Sequence, residues 1–371
     1  GEGWNFGEVA DGARFVQASQ LSLNGTGIGT FSDRARDAVR GGSPGDSGEP
    51  VIRQQGYING LVYDANALGG DAQKADLLRA ADLIRVGLAG SVRTYPMQGF
   101  DGQVRQLQAM VYGGNQPAGY ASEPGEAVNY VENHDNQTLY DINVLKLPVA
   151  TSSAERARVQ VLGMAINAFS QGVAYYHAGI DTLRSKSLDR NSFNSGDWFN
   201  RIDWTYQDNF FGTGLPPAPD NAKDWPLFKP LLANAAMKPA PADIAFARDA
   251  FRDLLRIRAS STLLRLRTAD DINTRLRFFN TGPQQEPTVL AAWIDGKGYP
   301  GAGFAGMGYL VNVDKRAHTI KDATLRGKRL KLHPVHSAPG AADKRALKAR
   351  FDSASGTFTV PPRTAVVFVD M

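Results

Sequence analysis

The sequence contains no cysteine, and this absence removes several kinds of functional site at once. A chain of 371 residues without cysteine has no disulfide bridge, no zinc site held by thiolates and no cysteine nucleophile. Long apolar runs are also lacking, because none approaches the roughly 20 residues that span a bilayer. We therefore expect no membrane partner.

Basic residues are in small excess only, because the chain has 41 of them and 37 acidic residues. The two kinds are mostly interleaved, and no base-stacking or groove-reading motif accompanies the basic residues. We therefore expect no nucleic-acid partner.

The chain is longer than a usual single domain, and this length predicts two domains. It begins Gly1-Glu2-Gly3-Trp4, without Met or a signal-like segment. We expect the true N-terminus of the protein to lie elsewhere, so the localisation stays open.

Apolar residues recur at helical spacing in three segments, which predicts helices at 74–88, 153–169 and 243–258. Between them, apolar runs at 127–131 and 172–176 end in polar residues. Strands that alternate with helices indicate parallel βα units. In a βα barrel the functional groups stand at the carboxyl ends of such strands.

The character of the sequence changes after residue 267. Turn residues there separate short β-rich runs, at 274–280, 288–294, 307–313, 328–333, 356–360 and 364–369. This spacing predicts an antiparallel β sandwich over residues 268–371. Just before it, the proline-rich residues 212–242 are predicted to be a functional loop without regular structure.

Three patterns that suggest other chemistry have simpler interpretations. The tetrapeptide at 45–48, GDSG, resembles a serine-protease nucleophile, but the histidine base of that family lies upstream and the first histidine here is His134. The segment at 25–29, GTGIG, lacks the full glycine spacing of a phosphate-binding loop. The histidines at 318, 333 and 336 have no local carboxylate pattern, so we predict no metal site there.

Two short polar motifs remain as candidates for chemistry. Glu2 lies between two glycines and beside Trp4, and burial against an aromatic ring would suit a general acid. The alternative is a glycine-rich terminal turn. At 133–136, a histidine and a carboxylate side by side can hold sugar hydroxyls and stabilise an oxocarbenium-like transition state. The alternative there is a polar helix start.

These motifs resemble conserved regions of one enzyme family. The segment GEGW at 1–4 is similar to the third conserved region of pullulanase and limit dextrinase enzymes, in glycoside hydrolase family 13 of the α-amylase superfamily, and YVENHDN at 130–136 to the fourth. Further segments resemble the sixth barrel strand, the loop after the eighth strand and the C-terminal domain, at 25–42, 183–201, 278–283 and 360–370. The resemblance covers nearly the whole chain.

The resemblance implies an α/β fold in which residues 1–267 are the second half of a (β/α)₈ TIM barrel. Residues 268–371 are then the all-β sandwich domain at the C-terminus. The implied activity is hydrolysis of α-1,6-glucosidic linkages in pullulan, amylopectin or limit dextrins, with retention of configuration. The implied partner is an α-glucan. No cofactor is required, and calcium is common in the superfamily, but no ligand set can be assigned.

The resemblance also assigns roles to matched residues. Glu2 is the implied general acid and base, Asp135 stabilises the transition state, and His134 binds sugar hydroxyls. Trp4 shapes the subsite beside the acid. The other implied substrate-binding residues are Asn136, Asn191, Asp197, Trp198 and Arg201. Asn191 stands where related bacterial pullulanases can carry an aspartate, so we expect the contacts with substrate to differ there.

The family's nucleophilic aspartate precedes the GEGW region, on the fourth barrel strand. We therefore expect the chain alone to be inactive, with the activity belonging to a parent protein. Two alternatives stay open: a truncated homologue that binds glucan or regulates without catalysis, and one half of a split enzyme.

Overall fold

The structure is a computed structural model, and it describes residues 1–4 and 17–371. None of the helices in these ranges combines the length and apolarity needed to cross a membrane.

The helices lie mainly before residue 276. In chain order they are α1 (Asp33–Arg40), α2 (Glu49–Arg53), α3 (Lys74–Leu88), α4 (Leu139–Lys146), α5 (Ser153–Phe169), α6 (Asp197–Asn200), α7 (Ala218–Asn221), α8 (Trp225–Leu232), α9 (Pro241–Ser260), α10 (Ala269–Arg275) and α11 (Pro334–Ser337).

The strands are short in the first part of the chain and longer in the last. In chain order they are β1 (Thr30–Ser32), β2 (Pro96–Gln98), β3 (Val104–Gln106), β4 (Val111–Gly113), β5 (Gln116–Pro117), β6 (Ala127–Asn129), β7 (Val173–Ala174), β8 (Leu276–Phe279), β9 (Val289–Asp295), β10 (Gly306–Asn312), β11 (His318–Lys321), β12 (Lys331–Leu332), β13 (Arg350–Asp352), β14 (Thr357–Val360) and β15 (Thr364–Asp370).

A small parallel sheet positions the first half of the chain. Its order is β1-β6-β7, with Thr30 opposite Ala127 and Val128 opposite Val173. Gly1 runs beside β1, because its carbonyl accepts a hydrogen bond from the Phe31 N–H at 3.3 Å. The predicted parallel strands are thus present, although shorter than the apolar runs. The described residues do not form a closed barrel.

The three predicted helices are confirmed as α3, α5 and α9. Helix α5 begins at the predicted residue, where the Ser152 side chain caps it by accepting a hydrogen bond from the Glu155 N–H. Helix α9 extends the predicted segment by two residues at each end, and Pro241 fits its first turn because that position needs no N–H donor.

The prediction of a loop without regular structure at 212–242 is wrong, because α7 and α8 lie within it. Pro226 stands in the first turn of α8, where proline does not break a helix. The Trp225 indole N–H donates to the Pro216 carbonyl at 2.9 Å, and Phe228 is buried. These two aromatic side chains anchor the segment. Its many prolines led the sequence-based prediction to miss the helices.

The last hundred residues form two antiparallel sheets. One has the order β12-β15-β10-β9-β8 and the other the order β11-β14-β13. A buried cluster joins them, to which Phe279, Leu310 and Val366 contribute from the first sheet and Ile320 and Phe358 from the second. The predicted packing of two sheets is therefore present. Strands β11 and β13 escaped prediction because each is only a few residues long and mostly exposed.

The five-stranded sheet also packs against the helices of the first half. Strand β10 is buried along its entire length, and its Tyr309 ring stacks on Phe169 of α5 with centroids 5.0 Å apart. One buried cluster therefore contains side chains from both sides of residue 267.

Two histidines at this junction predict a loss of stability in acid. The Nδ1 atom of His333 accepts from the Val335 N–H and Nε2 of His336 from the Val367 N–H, at 3.2 and 3.1 Å. Burial lowers the pKa of both rings to about 4, and for His336 the Asp343 carboxylate opposes this effect. The unfolded chain, with a usual pKa of about 6.5, binds more protons between these values. Stability is therefore lost as the pH falls from about 6.5 to 4.

The free energy of unfolding in urea, measured at pH 7, 5.5 and 4.5, tests this expectation. His336 contributes at most about 3 kcal/mol of the loss. His336→Gln keeps an acceptor for the Val367 N–H but cannot take up a proton, so its stability should depend less on pH. Parallel pH curves for the two proteins would contradict the expectation.

Candidate active site

Glu2, His134 and Asp135 meet at the carboxyl ends of the parallel strands. His134 follows β6, and Glu2 follows the residue that pairs with β1, so the parallel sheet brings them to one edge. The His134 Nε2 atom lies 3.9 Å from a Glu2 carboxylate oxygen and 3.5 Å from an Asp135 carboxylate oxygen. The sequence thus predicted separately two motifs that the fold brings into contact.

The Glu2 carboxylate is open to solvent, which differs from the burial expected from the sequence. Its side chain is 51% exposed, and the Trp4 indole N–H donates to its second oxygen at 3.3 Å. Trp4 therefore contacts the edge of the carboxylate without covering it. This arrangement leaves the Glu2 oxygens accessible to a ligand.

An open cleft of about 600 Å³ lies beside this cluster. Of the predicted site residues, Trp4, Asp135, Asn136 and Asn191 line it. The sequence reasoning missed the remaining wall, which consists of Asp33, Arg36, Asp37, Pro44, Tyr112, Arg190 and Asp220. The cleft is polar as well as aromatic, as a surface that binds sugar hydroxyls requires.

The aromatic side of the cleft rests on a stack of rings. Trp4 lies over Phe31, with ring centroids 6.4 Å apart and planes inclined by 15°. Phe31 in turn contacts Tyr130 at 4.8 Å, and the Arg36 guanidinium stands 5.6 Å from the Trp4 ring. Ring and cation hold Trp4 in place as a flat apolar surface.

Glu132, a residue for which we predicted no role, holds the loop that carries His134 and Asp135. It is buried, and one carboxylate oxygen accepts from the Leu139 N–H at the start of α4. The other oxygen lies 2.9 Å from Nδ1 of His177, in the segment that follows β7. Glu132 thus links the end of this loop at α4 to the segment after the neighbouring strand β7.

The contacts continue from His177 toward the segment at 197–201. The Arg184 guanidinium lies 3.4 Å from His177 Nε2 and also donates to the Asn200 carbonyl. The only signal in the sequence for Glu132 and His177 was their place directly after an apolar run. The spacing of the two residues does not show that they touch.

Asp197, Trp198 and Arg201 form a separate cluster, and none of the three lines the cleft. The Arg201 guanidinium packs between the rings of Trp198 and Phe210, 3.9 and 4.0 Å from their centroids. Trp198 remains 56% exposed although its indole N–H donates to the Thr213 carbonyl. This cluster presents a second flat aromatic surface.

Among residues 1–4 and 17–371, one group of three His, Asp or Glu side chains lies close enough to share a metal ion. That group is Glu2, His134 and Asp135, which offer one atom each within 4.8 Å of one another. Calcium takes six to eight oxygen ligands, whereas one ligand here is an imidazole nitrogen.

Known proteins match this chain in sequence and in structure. Residues 206–371 match the protein-family model described as "Alpha-1,6-glucosidases, pullulanase-type, C-terminal". The chain is 44% identical to pullulanase 1, chloroplastic, of Arabidopsis thaliana over all of its own length and 39% of that protein. It is 35% identical to the pullulanase of Klebsiella pneumoniae over 99% of its length and 33% of that protein.

The structural match is equally extensive. The crystal structure of the maltotriose complex of PulA from Klebsiella pneumoniae superimposes with a TM-score of 0.92 at 34% identity. The superposition covers all of this chain and 39% of the Klebsiella chain. The chain thus spans between a third and two fifths of the length of the relatives it matches.

Proposed function

Because this chain is related to pullulanases along its whole length, we propose that it is part of a starch-debranching glycoside hydrolase. The enzyme cleaves α-1,6-glucosidic linkages in pullulan, amylopectin or limit dextrins and retains the configuration of the sugar. Residues 1–267 belong to the second half of its (β/α)₈ barrel, and residues 268–371 are its C-terminal β domain. The parallel order β1-β6-β7 and the two packed antiparallel sheets support this division.

The observation that carries the proposal is the convergence of Glu2, His134 and Asp135 beside an open cleft. Glu2 protonates the glycosidic oxygen and then activates water. His134 binds sugar hydroxyls, and Asp135 stabilises the positive charge that develops on the sugar ring. A retaining enzyme needs a second carboxylate as nucleophile, and the enzyme supplies it from outside this chain.

The substrate is an α-glucan held by ring stacking and hydroxyl hydrogen bonds. Trp4, His134, Asn136 and Asn191 contact the sugar at the site of cleavage. Asp197, Trp198 and Arg201 bind a more distant glucose unit through the exposed Trp198 ring. The related PulA structures from Klebsiella pneumoniae are complexes with maltotriose, which supports an α-glucan ligand.

Reducing-sugar release from pullulan tests the proposal with three preparations. They are the 371-residue chain alone, the chain fused behind the preceding part of the Arabidopsis pullulanase, and those two parts mixed as separate proteins. We expect no activity from the chain alone, because an acid without a nucleophile forms no glycosyl-enzyme intermediate. We expect the fusion to be active.

The other outcomes separate the alternatives. A fusion that binds maltotriose without hydrolysing pullulan would indicate a glucan-binding homologue, and activity in the mixture would show that the two halves can work as a split enzyme. Hydrolysis of pullulan by the chain alone would contradict the expectation that the nucleophile lies outside this chain. A folded fusion that neither binds maltotriose nor hydrolyses pullulan would contradict the proposed function.

A further inference from the structure

A second cavity, of about 400 Å³, lies where the start of α5 meets the β sheets. Its wall combines residues from four parts of the chain and is made almost entirely of charged side chains. The lining residues are Glu155, Lys315, Arg345, Lys348, Pro362 and Arg363. None of them lines the cleft beside Glu2.

Ion pairs account for part of this charge. The buried Arg363 donates to Glu155 at 3.1 Å and to Asp64 at 3.0 Å. Arg345 reaches the other Glu155 oxygen at 2.7 Å, and Lys315 reaches the other Asp64 oxygen at 2.7 Å. Each carboxylate therefore holds two cations.

Positive charge remains after this pairing. Lys315, Arg345, Lys348 and Arg363 carry four positive charges, whereas Glu155 and Asp64 carry two negative ones. Lys348 is exposed and has no ion-pair partner in the described part of the chain. The cavity thus has an excess of two positive charges.

The local backbone directs these groups to the same place. Arg345 and Lys348 are three residues apart in the 3₁₀ helix Lys344–Lys348, and residues at this spacing in a 3₁₀ helix lie above one another. Arg363 has a left-handed backbone conformation, with φ of 42°, which residues other than glycine rarely adopt. Its buried Nε atom has no hydrogen-bond partner in the structure.

We propose that this cavity binds an anion of the phosphate class, either inorganic phosphate or a phosphate monoester. Two excess positive charges match the dianionic form of phosphate near neutral pH. Arginine and lysine N–H groups form short, charge-assisted hydrogen bonds with phosphate oxygens. Lys348 has no carboxylate partner among the described residues and is free to contact the anion, and Lys315 and Arg345 line the same cavity.

Binding to the intact 371-residue chain can be measured by isothermal titration with inorganic phosphate and with glucose 1-phosphate, at constant ionic strength set with chloride. We expect saturable binding of at least one of them. Lys348→Gln should weaken it by about tenfold, because one hydrogen bond to a charged group is lost. Lys321→Gln, which removes an exposed charge outside the cavity on β11, should leave the affinity unchanged.

The two probes distinguish the source of the anion. Equal affinities indicate a site for a bare phosphate group, whereas tighter binding of glucose 1-phosphate indicates a sugar phosphate. The proposal is wrong if neither probe binds. It is also wrong if Lys348→Gln binds phosphate as tightly as the unaltered chain and the control Lys321→Gln do. Circular dichroism of each variant establishes that it is folded, and the result does not depend on pullulan hydrolysis.

Discussion

Glu2→Gln in the complete enzyme to which we assign this chain will lower kcat for pullulan by about 10²–10⁴-fold, the usual contribution of positioned acid catalysis. The amide has the size of the carboxyl group and still accepts from the Trp4 indole N–H, but it cannot protonate the glycosidic oxygen. KM should change little, because the aromatic surface and the groups around His134 remain. The measurement is the rate of reducing-sugar release over a range of pullulan concentrations.

A substrate that needs no acid separates this role from a structural one. With an α-glucosyl fluoride of suitable length, fluoride leaves without protonation, so the first chemical step should be much less affected by Glu2→Gln. Glu49→Gln is a matched control, because Glu49 is an exposed acid on α2 that pairs with Arg53. Retention of kcat for pullulan within twofold in Glu2→Gln would remove Glu2 from the chemistry.

Arg85→Ala will lower the free energy of unfolding by about 3–5 kcal/mol, the typical cost of removing one partner of a buried ion pair. Arg85 is fully buried in α3 and donates to Asp82 at 2.8 Å. It also donates to the Asn280 carbonyl and to the Gln285 side chain beyond β8. The substitution leaves the Asp82 charge unpaired in the interior and breaks a contact between the two parts of the chain.

Urea unfolding of Arg85→Ala and Arg53→Ala provides the measurement with its control. Arg53 pairs with Glu49 on the surface of α2, with about half of each side chain exposed, and such pairs contribute less than about 1 kcal/mol. If both variants lost the same free energy of unfolding, the buried ion pair would contribute no more to stability than the exposed one. Two separate unfolding transitions in Arg85→Ala would show that this contact couples the halves.

The sequence alone predicted those elements whose pattern is local. Helix α5 follows from its Ser152 cap and apolar stripe, and α3 follows from the buried spacing of Leu77, Ala81 and Ile84. The motifs around Glu2 and Asp135 could also be recognised from the sequence, because each is only a few residues long and resembles a conserved region. Periodicity and short motifs require no knowledge of distant contacts.

Local sequence pattern failed to predict segments whose structure depends on burial, specific hydrogen bonds or strand pairing. In the proline-rich stretch at 212–242, the helix α8 depends on burial of Phe228 and on the bond from Trp225 to Pro216. Strands β11 and β13 are too short to show an alternating pattern, and pairing with β14 makes them strands. In both cases tertiary contacts decided the structure.

Only the tertiary structure determined which side chains share a site. It placed Glu2 within reach of His134, set Glu132 against His177, and left Trp198 in a cluster apart from the cleft. It also gathered Arg363 and Lys348 around one cavity with Glu155 from the other half of the chain. Residues so far apart in sequence meet through the pairing of strands and the packing of helices on a sheet, and no local pattern encodes their distance.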